Sequence, residues 1–85
     1  MYYVYVLQSE KDKNLHIGYT SDLKQRFAEH NGGQNLSTKH RRPFELIYYE
    51  AYSAEKDARN REKKLKKLKN GYQRLKERII NSIKK

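Results

Sequence analysis

Arg26 and His30 are the first residues whose types and spacing could do chemistry. They stand four apart, so a helix carries both on one face. Gly18 precedes them at the end of an apolar run, where the backbone must bend tightly or let something approach closely. A cation and an imidazole beside such a glycine make a candidate site for an anionic ligand. Arg26 stays charged at any relevant pH and can grip two oxygens. A histidine titrates near neutrality, where it can serve as a base. Taken alone, His30 is a helix-end histidine near the negative end of the dipole, and His16 is a strand residue with no role.

Glu62 is the next unusual residue. It comes four after Ala58 and three before Leu65, so it lies on or beside an apolar helical stripe. A carboxylate there is costly unless it is paired or binds a metal. Spacing leaves open an ion pair with Arg59, Lys66 or Arg26, a glutamate tilted off the stripe, or a metal ligand. Lys39, His40, Arg41 and Arg42 are consecutive, and the two arginines suit phosphate contacts; the alternative is a mobile solvated loop. Tyr3 and Tyr5 share one face of their strand, with Tyr2, Val4 and Val6 on the other. They are either both aromatic core, or one is core and the other lines a cleft.

These residues need elements to position them. Tyr2 to Leu7 is a continuous aromatic and β-branched run, predicting a strand buried on both faces and therefore central. A polar connector, Gln8 to Asn14, leads to a second strand over Leu15 to Tyr19, making a hairpin. Ser21 or Thr20 caps the next helix, with Asp22 in its first turn and Leu23 and Phe27 facing inward. Gly32-Gly33 ends it near His30 or Asn31. The polar segment from Gly32 to Pro43 is long for an unstructured loop, and such loops are usually functional or mobile. Phe44 to Tyr52 is a third strand. Ser53 then caps a helix with Glu55 and Asp57 in its first turn and a stripe of Ala58, Arg61 or Glu62, Leu65 and Leu68. Asn70-Gly71 is a helix stop, and Tyr72, Leu75, Ile79 and Ile83 mark a last amphipathic helix. The order is ββαβαα, an α+β (small mixed α/β) arrangement of helices covering a short sheet. No internal repeat or long linker divides the chain, so residues 1–85 are expected to form one domain with a basic helical part over 54–85.

Composition narrows the partners. Among 85 residues the hydrophobic share is only 35%, so the core must be thin, and eight Tyr and two Phe supply much of its apolar area. There is no cysteine, which excludes disulfides and Cys-based zinc sites. No apolar run approaches the roughly 20 residues of a membrane helix, and the N-terminus lacks the basic region of a signal peptide, so a cytoplasmic location is expected. Residues 1–55 hold seven basic and seven acidic residues, so the whole net charge of +10 falls in residues 56–85. Such asymmetry points to a polyanion, nucleic acid before an anionic membrane; a solvated lysine-rich helix is the alternative. The basic helices also lack the bulky apolar face and Trp that membrane binding favours.

The combination resembles a known family. Tyr3-Val4-Tyr5, then Leu15-His16-Ile17-Gly18, then Arg26 and Glu62 resemble the GIY-YIG endonuclease domain. Asp22-Leu23, Glu29-His30-Asn31, Arg41-Arg42-Pro43, and Ala58 followed by Arg61-Glu62 strengthen the likeness across essentially the whole chain. The pattern is similar to small free-standing bacterial members, themselves similar to the N-terminal nuclease domain of the excision-repair endonuclease. The resemblance implies three antiparallel strands flanked by helices, and hydrolysis of DNA phosphodiesters with a single divalent metal, Mg²⁺ or Mn²⁺. It makes Tyr5 the base or the group that positions the attacking water, Arg26 the contact to the scissile phosphate, and Glu62 the metal ligand. His30 falls where the family has a tyrosine or histidine. Tyr3 replaces the first motif's glycine, and His16 replaces the second motif's tyrosine.

The physical logic is consistent with this. Attack on a phosphodiester concentrates charge on oxygens that a fixed cation stabilises. One glutamate with several waters suits one hard cation. DNA, or RNA, would be held by Lys39, His40, Arg41 and Arg42, with Tyr19, Lys63, Lys66 and Lys67, and with weak sequence preference. Repair or recombination is the expected setting, with no small-molecule cofactor and a monomer or weak homodimer as the working form. His16 could bridge water to Tyr5, act as base itself, or mark a module that binds nucleic acid without cutting it.

Overall fold

The computed structural model describes residues 1–67 and 69–84. Strands β1 (Tyr2–Ser9), β2 (Leu15–Thr20) and β3 (Phe44–Tyr52) form one antiparallel sheet in the order β2-β1-β3. Helix α1 (Leu23–Gly32) lies between β2 and β3 in sequence, and α2 (Glu55–Lys67) and α3 (Lys69–Arg78) follow β3. The order is ββαβαα, and the near-continuously apolar β1 is the central strand, as its pattern requires. Among the described residues, no helix is long and apolar enough to cross a membrane.

Register assigns the two faces. Tyr5 pairs with Gly18 and Tyr49, and Leu7 with His16 and Leu46, so these share the face covered by α1. Val4 pairs with Tyr19 and Glu50, and Val6 with Ile17 and Tyr48, on the face covered by α2 and α3. A register shift between Val6 and Leu7 lets Ile47 pack with this second set. Its core joins Val4, Val6 and Ile17 to Ala58, Leu65, Leu75 and Ile79; the α1 side joins Tyr5, Leu7 and Phe44, with Leu23, Phe27 and Leu46 packed against them. Both cores are thin, but each fully buried Val or Leu stabilises the fold by roughly 1.5–3 kcal/mol.

Three boundaries differ from the expectations. Asp22, not Ser21 or Thr20, caps α1: its side chain accepts from Gln25 N at 3.0 Å, while Thr20 Oγ1 accepts from Asp22 N at 3.0 Å and so fixes the cap. Asn70-Gly71 is not a helix stop. Both lie at the start of α3, where the cost of a glycine is offset by burial of Leu75 and Ile79 further on. The last helix ends at Arg78, a 3-10 turn over Ile80–Ser82 replaces its final turn, and Ile83 still reaches the core. Leu68, expected on the α2 stripe, lies outside the described residues. Gly33 does end α1, as a left-handed cap at φ 78° whose N–H bonds back to the helix.

The long segment before β3 is not a loose loop. Thr38 is buried within it, and Lys39–Arg41 makes a 3-10 turn. Ser9 Oγ donates to Arg41 O at 2.6 Å, and Glu10 N donates to Pro43 O at 2.8 Å. Asn31 clamps Phe44 from both sides: Nδ2 donates to Phe44 O at 3.0 Å, and Oδ1 accepts from Phe44 N at 2.6 Å. Backbone groups that a solvated loop would leave to water are thus paired within the protein.

Candidate active site

The centre of the α1 face is a buried hydrogen-bonded chain. Tyr5 Oη lies 3.0 Å from His30 Nε2, and His30 Nδ1 lies 2.9 Å from Thr38 Oγ1. Thr38 Oγ1 also donates to Asn35 O at 3.4 Å, so it accepts from His30 Nδ1–H. His30 Nε2 is then the acceptor for the Tyr5 hydroxyl, and every group in the chain is satisfied. The fold fixes each member: Tyr5 by central β1, His30 by the last turn of α1, Thr38 by the tied segment.

Gly18 explains how Tyr5 fits. It pairs with Tyr5 in mid-strand, and a Cβ there would stand 2.2 Å from Tyr5 Oη and 2.3 Å from Cζ. Of the two reasons its sequence position offered, close approach is the operative one; the strand continues past it to Thr20. His16, on the same face, sets its ring against His30 at 4.9 Å and Tyr5 at 6.3 Å between centroids, with Phe44 at 6.4 Å.

Burial sets the electrostatics. It pushes the Tyr5 phenol up to about 12; nearby Arg26 pulls the other way, and Glu62 and Glu29 add to the rise. Burial likewise lowers His16 to about 4, helped by the positive potential of His30, Lys66 and Arg41. It lowers His30 too, with Arg26 contributing and Glu29 opposing. The cluster is therefore neutral at pH 7, with charges at its margin: Arg26 and Glu62 are both close enough to Tyr5 to be felt there.

Those marginal charges are only loosely held. Arg26 Nε is 3.5 Å from Glu29 Oε1, and its side chain is 42% exposed, so it can turn towards an incoming anion. Glu62 Oε2 is paired with Lys66 Nζ at 3.0 Å, the i,i+4 pair among the alternatives its spacing allowed. Among the described residues no three His, Cys, Asp or Glu side chains gather as a metal cage. The donor set is one carboxylate, which suits a hard cation that keeps most of its waters and would have to displace Lys66.

The remaining sequence-predicted residues are spread around this centre. Lys39, His40 and Arg42 are exposed on the tied segment. Arg41 is drawn inward: its Nε donates to Asp12 Oδ2 at 2.9 Å and its guanidinium lies over Phe44, which leaves less of it for phosphate than its position suggested. Lys63, Lys66 and Lys67 are exposed on α2. Tyr19 is on the opposite face of the sheet from Tyr5, with Oη donating to Glu55 Oε2 at 2.6 Å and Arg59 over its ring.

Two residues that the sequence did not single out matter here. Thr38 orients His30, and nothing in the spacing marks it. Glu50 anchors α2 beside Glu62: Arg61 donates to it through Nε at 2.9 Å and a second guanidinium nitrogen at 3.0 Å, Tyr48 Oη donates at 2.7 Å, and Tyr52 Oη donates as well. The sequence does hold a signal for it, since Tyr48, Glu50 and Tyr52 recur at strand period on a face that must be covered.

A tyrosine, two imidazoles, an arginine and a single carboxylate thus stand near a glycine-bared strand centre. A family model described as "GIY-YIG catalytic domain" matches residues 1–76, and the chain belongs to this nuclease family. It is 43% identical over 74 residues to the UPF0213 protein SpyM50708 of Streptococcus pyogenes serotype M5, covering 86% of this chain and 79% of that one. The same figures hold for the UPF0213 protein MGAS10270_Spy1222 of S. pyogenes serotype M2. The solution NMR structure of the UPF0213 protein BH0048 from Bacillus halodurans matches with a TM-score of 0.55 and 31% identity, covering 95% of this chain and 84% of that one.

Proposed function

We propose that the protein is a divalent-metal-dependent DNA endonuclease with weak sequence preference, selective for DNA structure and used in repair or recombination. The observation that carries this reading is the chain Tyr5–His30–Thr38, with the charges of Arg26 and Glu62 both acting on Tyr5. A phenol held near 12 is a poor base by itself. Hydrogen-bonded to a neutral imidazole, it can take a proton from the attacking water while giving its own to His30 Nε2. Thr38 keeps the imidazole in the tautomer this needs. Arg26 turns from Glu29 to the phosphate oxygens, and Glu62 is the residue that would hold Mg²⁺ or Mn²⁺. A divalent cation there supplies charge stabilisation for the phosphate and the leaving oxygen. His16 packs against His30 and, being neutral, can orient water towards Tyr5 without adding charge. Lys39, His40, Arg42, Lys63, Lys66 and Lys67 supply phosphate contacts.

Cleavage assays on flapped, nicked, single-stranded and duplex DNA, with and without Mg²⁺ or Mn²⁺, test the reading. Metal-dependent cutting should fall at least about a hundredfold in Tyr5→Phe, Arg26→Ala and Glu62→Ala. Undiminished cutting by any of the three would remove that residue from the site. A second reading, a nucleic-acid-binding module that does not cut, draws on two observations: His16 stands at the motif tyrosine, and Glu62 is already paired with Lys66. It predicts salt-sensitive binding without metal and no cleavage of any DNA or RNA form.

A further inference from the structure

His16 has a second side. Its ring forms part of the wall of a cavity of about 290 Å³ at the β2 edge, lined by Leu15, His16, Ile17, Leu65, Lys66 and Tyr72. Four of these six offer apolar or aromatic surface. The polar members are an imidazole and an ammonium, and among the described residues neither His16 ring nitrogen has a hydrogen-bond partner; its neighbours are rings. Burial lowers His16, with Arg41 contributing, and raises Tyr72 against the pull of Arg41; the Arg41 Nη2 is buried with no hydrogen-bond partner among the described residues. A buried guanidinium N–H without an acceptor is uncommon. Lys66 puts a cation on the rim, and Leu65, Lys66 and Tyr72 bring part of the basic C-terminal region to it.

We propose that this cavity is a nucleobase subsite, which takes an unpaired base of the bound strand next to the phosphate held at Tyr5 and Arg26. The proposal rests on the nuclease reading above and adds to it the substrate feature that is recognised. An occupant with flat apolar faces and hydrogen-bonding edges matches Leu15, Leu65 and Tyr72 on the walls and His16 at one side. The anionic backbone that carries such a base matches Lys66 and the charge of +10 in residues 56–85. The cavity is at the small end of ligand pockets, sized for one ring system rather than a peptide or an acyl chain. Two of its side chains connect it to the candidate active site: His16 meets Tyr5 and His30, and Lys66 is paired with Glu62. A base stacked in a double helix cannot enter, so the subsite favours flaps, gaps, mismatches and single strands over continuous duplex.

The experiment uses wild-type protein in EDTA, so that cutting does not interfere, and reads the anisotropy of a labelled pentathymidylate against the same strand with an abasic central residue. The intact strand should bind about tenfold more tightly, the usual size of one base–aromatic stack. Tyr72→Leu should remove that preference, while Tyr72→Phe should keep it. Titrating ¹⁵N-labelled wild-type protein with thymidine monophosphate should move amides at Leu15, His16, Leu65 and Tyr72. Equal binding of the two strands, or shifts confined to another surface such as Tyr3 and Tyr49, overturns the subsite and leaves the nuclease reading standing. Failure to bind either strand also overturns the subsite, and the cleavage assays with metal decide the nuclease reading separately. The wild-type arms decide the matter even where Tyr72→Leu does not fold.

Discussion

Replacing Gly18 with alanine tests the packing on which the candidate site depends. The added Cβ would stand 2.2 Å from Tyr5 Oη, 2.3 Å from Cζ and 2.8 Å from Cε2. Non-bonded carbon contacts settle near roughly 3.5–4.0 Å, so the ring must move by more than about 1 Å. It is not free to do so, because Oη is bonded to His30 and the ring is packed with Leu7 and Phe44, with Leu23 and Phe27 beside them. Overpacking of this kind costs about 1–3 kcal/mol. Pulling the hydroxyl away leaves His30 Nε2 buried and unpaired, at about 1–3 kcal/mol more. The sum, about 2–6 kcal/mol, is a large part of the stability of a small domain. Urea denaturation followed by circular dichroism should show a lower midpoint at unchanged slope. The decisive control is the same substitution in a Tyr5→Ala background. Gly18 does not occupy a left-handed conformation, so without the ring its replacement should cost less than about 1 kcal/mol. An equal loss in both backgrounds, or no loss in either, would refute the argument that Tyr5 requires the glycine.

Three further outcomes follow from the same geometry. Thr38→Val should strand the buried His30 Nδ1–H, lower stability by about 1–3 kcal/mol and shift the imidazole tautomer, which ¹⁵N chemical shifts of the ring read directly; an unchanged tautomer would break the proposed chain. His16 stays neutral down to about pH 4 when folded but takes a proton near 6.5 when unfolded, so stability should decline as pH drops through that window, by at most about 3 kcal/mol, with His30 adding in the same direction. His16→Tyr should flatten the decline, and a folded-state His16 titration midpoint at or above 6.5 by NMR would contradict it. Burial pulls Glu50 up, but hydrogen bonds from Arg61, Tyr52 and Tyr48 more than reverse this and hold it below the usual carboxylate range. Glu50→Gln should therefore cost about 1–3 kcal/mol at neutral pH, and in thermal unfolding the difference from wild type should shrink as pH falls through the carboxylate range.

Much of the frame was legible because single elements announce it. An aromatic and β-branched run with no polar interruption can only be a strand with two covered faces, and β1 is central. Arg26 and His30 do share a helix, and the Glu62–Lys66 pair was among the partners its spacing allowed. What escaped notice depends on the third dimension. Thr38 meets His30 through a chain fold that no period encodes, and Arg41 turns inward because Asp12 of the β1–β2 turn happens to face it. Asn70-Gly71 misled because local propensity is a weak prior, outweighed here by the apolar face that follows.

The site is divided between two layers that a sheet normally keeps apart. Tyr5 and His16 point to the α1 side, whereas α2 packs on the other side through Ala58 and Leu65. Yet the charge of Glu62 is felt at Tyr5 and that of Lys66 at His16. Two features make this possible. β2 is an edge strand, so α2 can reach around it, and Gly18 at its centre carries no side chain to fill the space between. The pose of α2 is in turn set from beneath by the fully buried Ala58 and from the side by the Glu50–Arg61 pair, whose arginine immediately precedes Glu62 in the chain. The contacts that fix where Glu62 sits are therefore made on the side of the sheet facing away from Tyr5. A substitution there that alters no candidate catalytic residue can still move the Glu62 carboxylate relative to Tyr5. The small core and the candidate site are, in this protein, one mechanical unit.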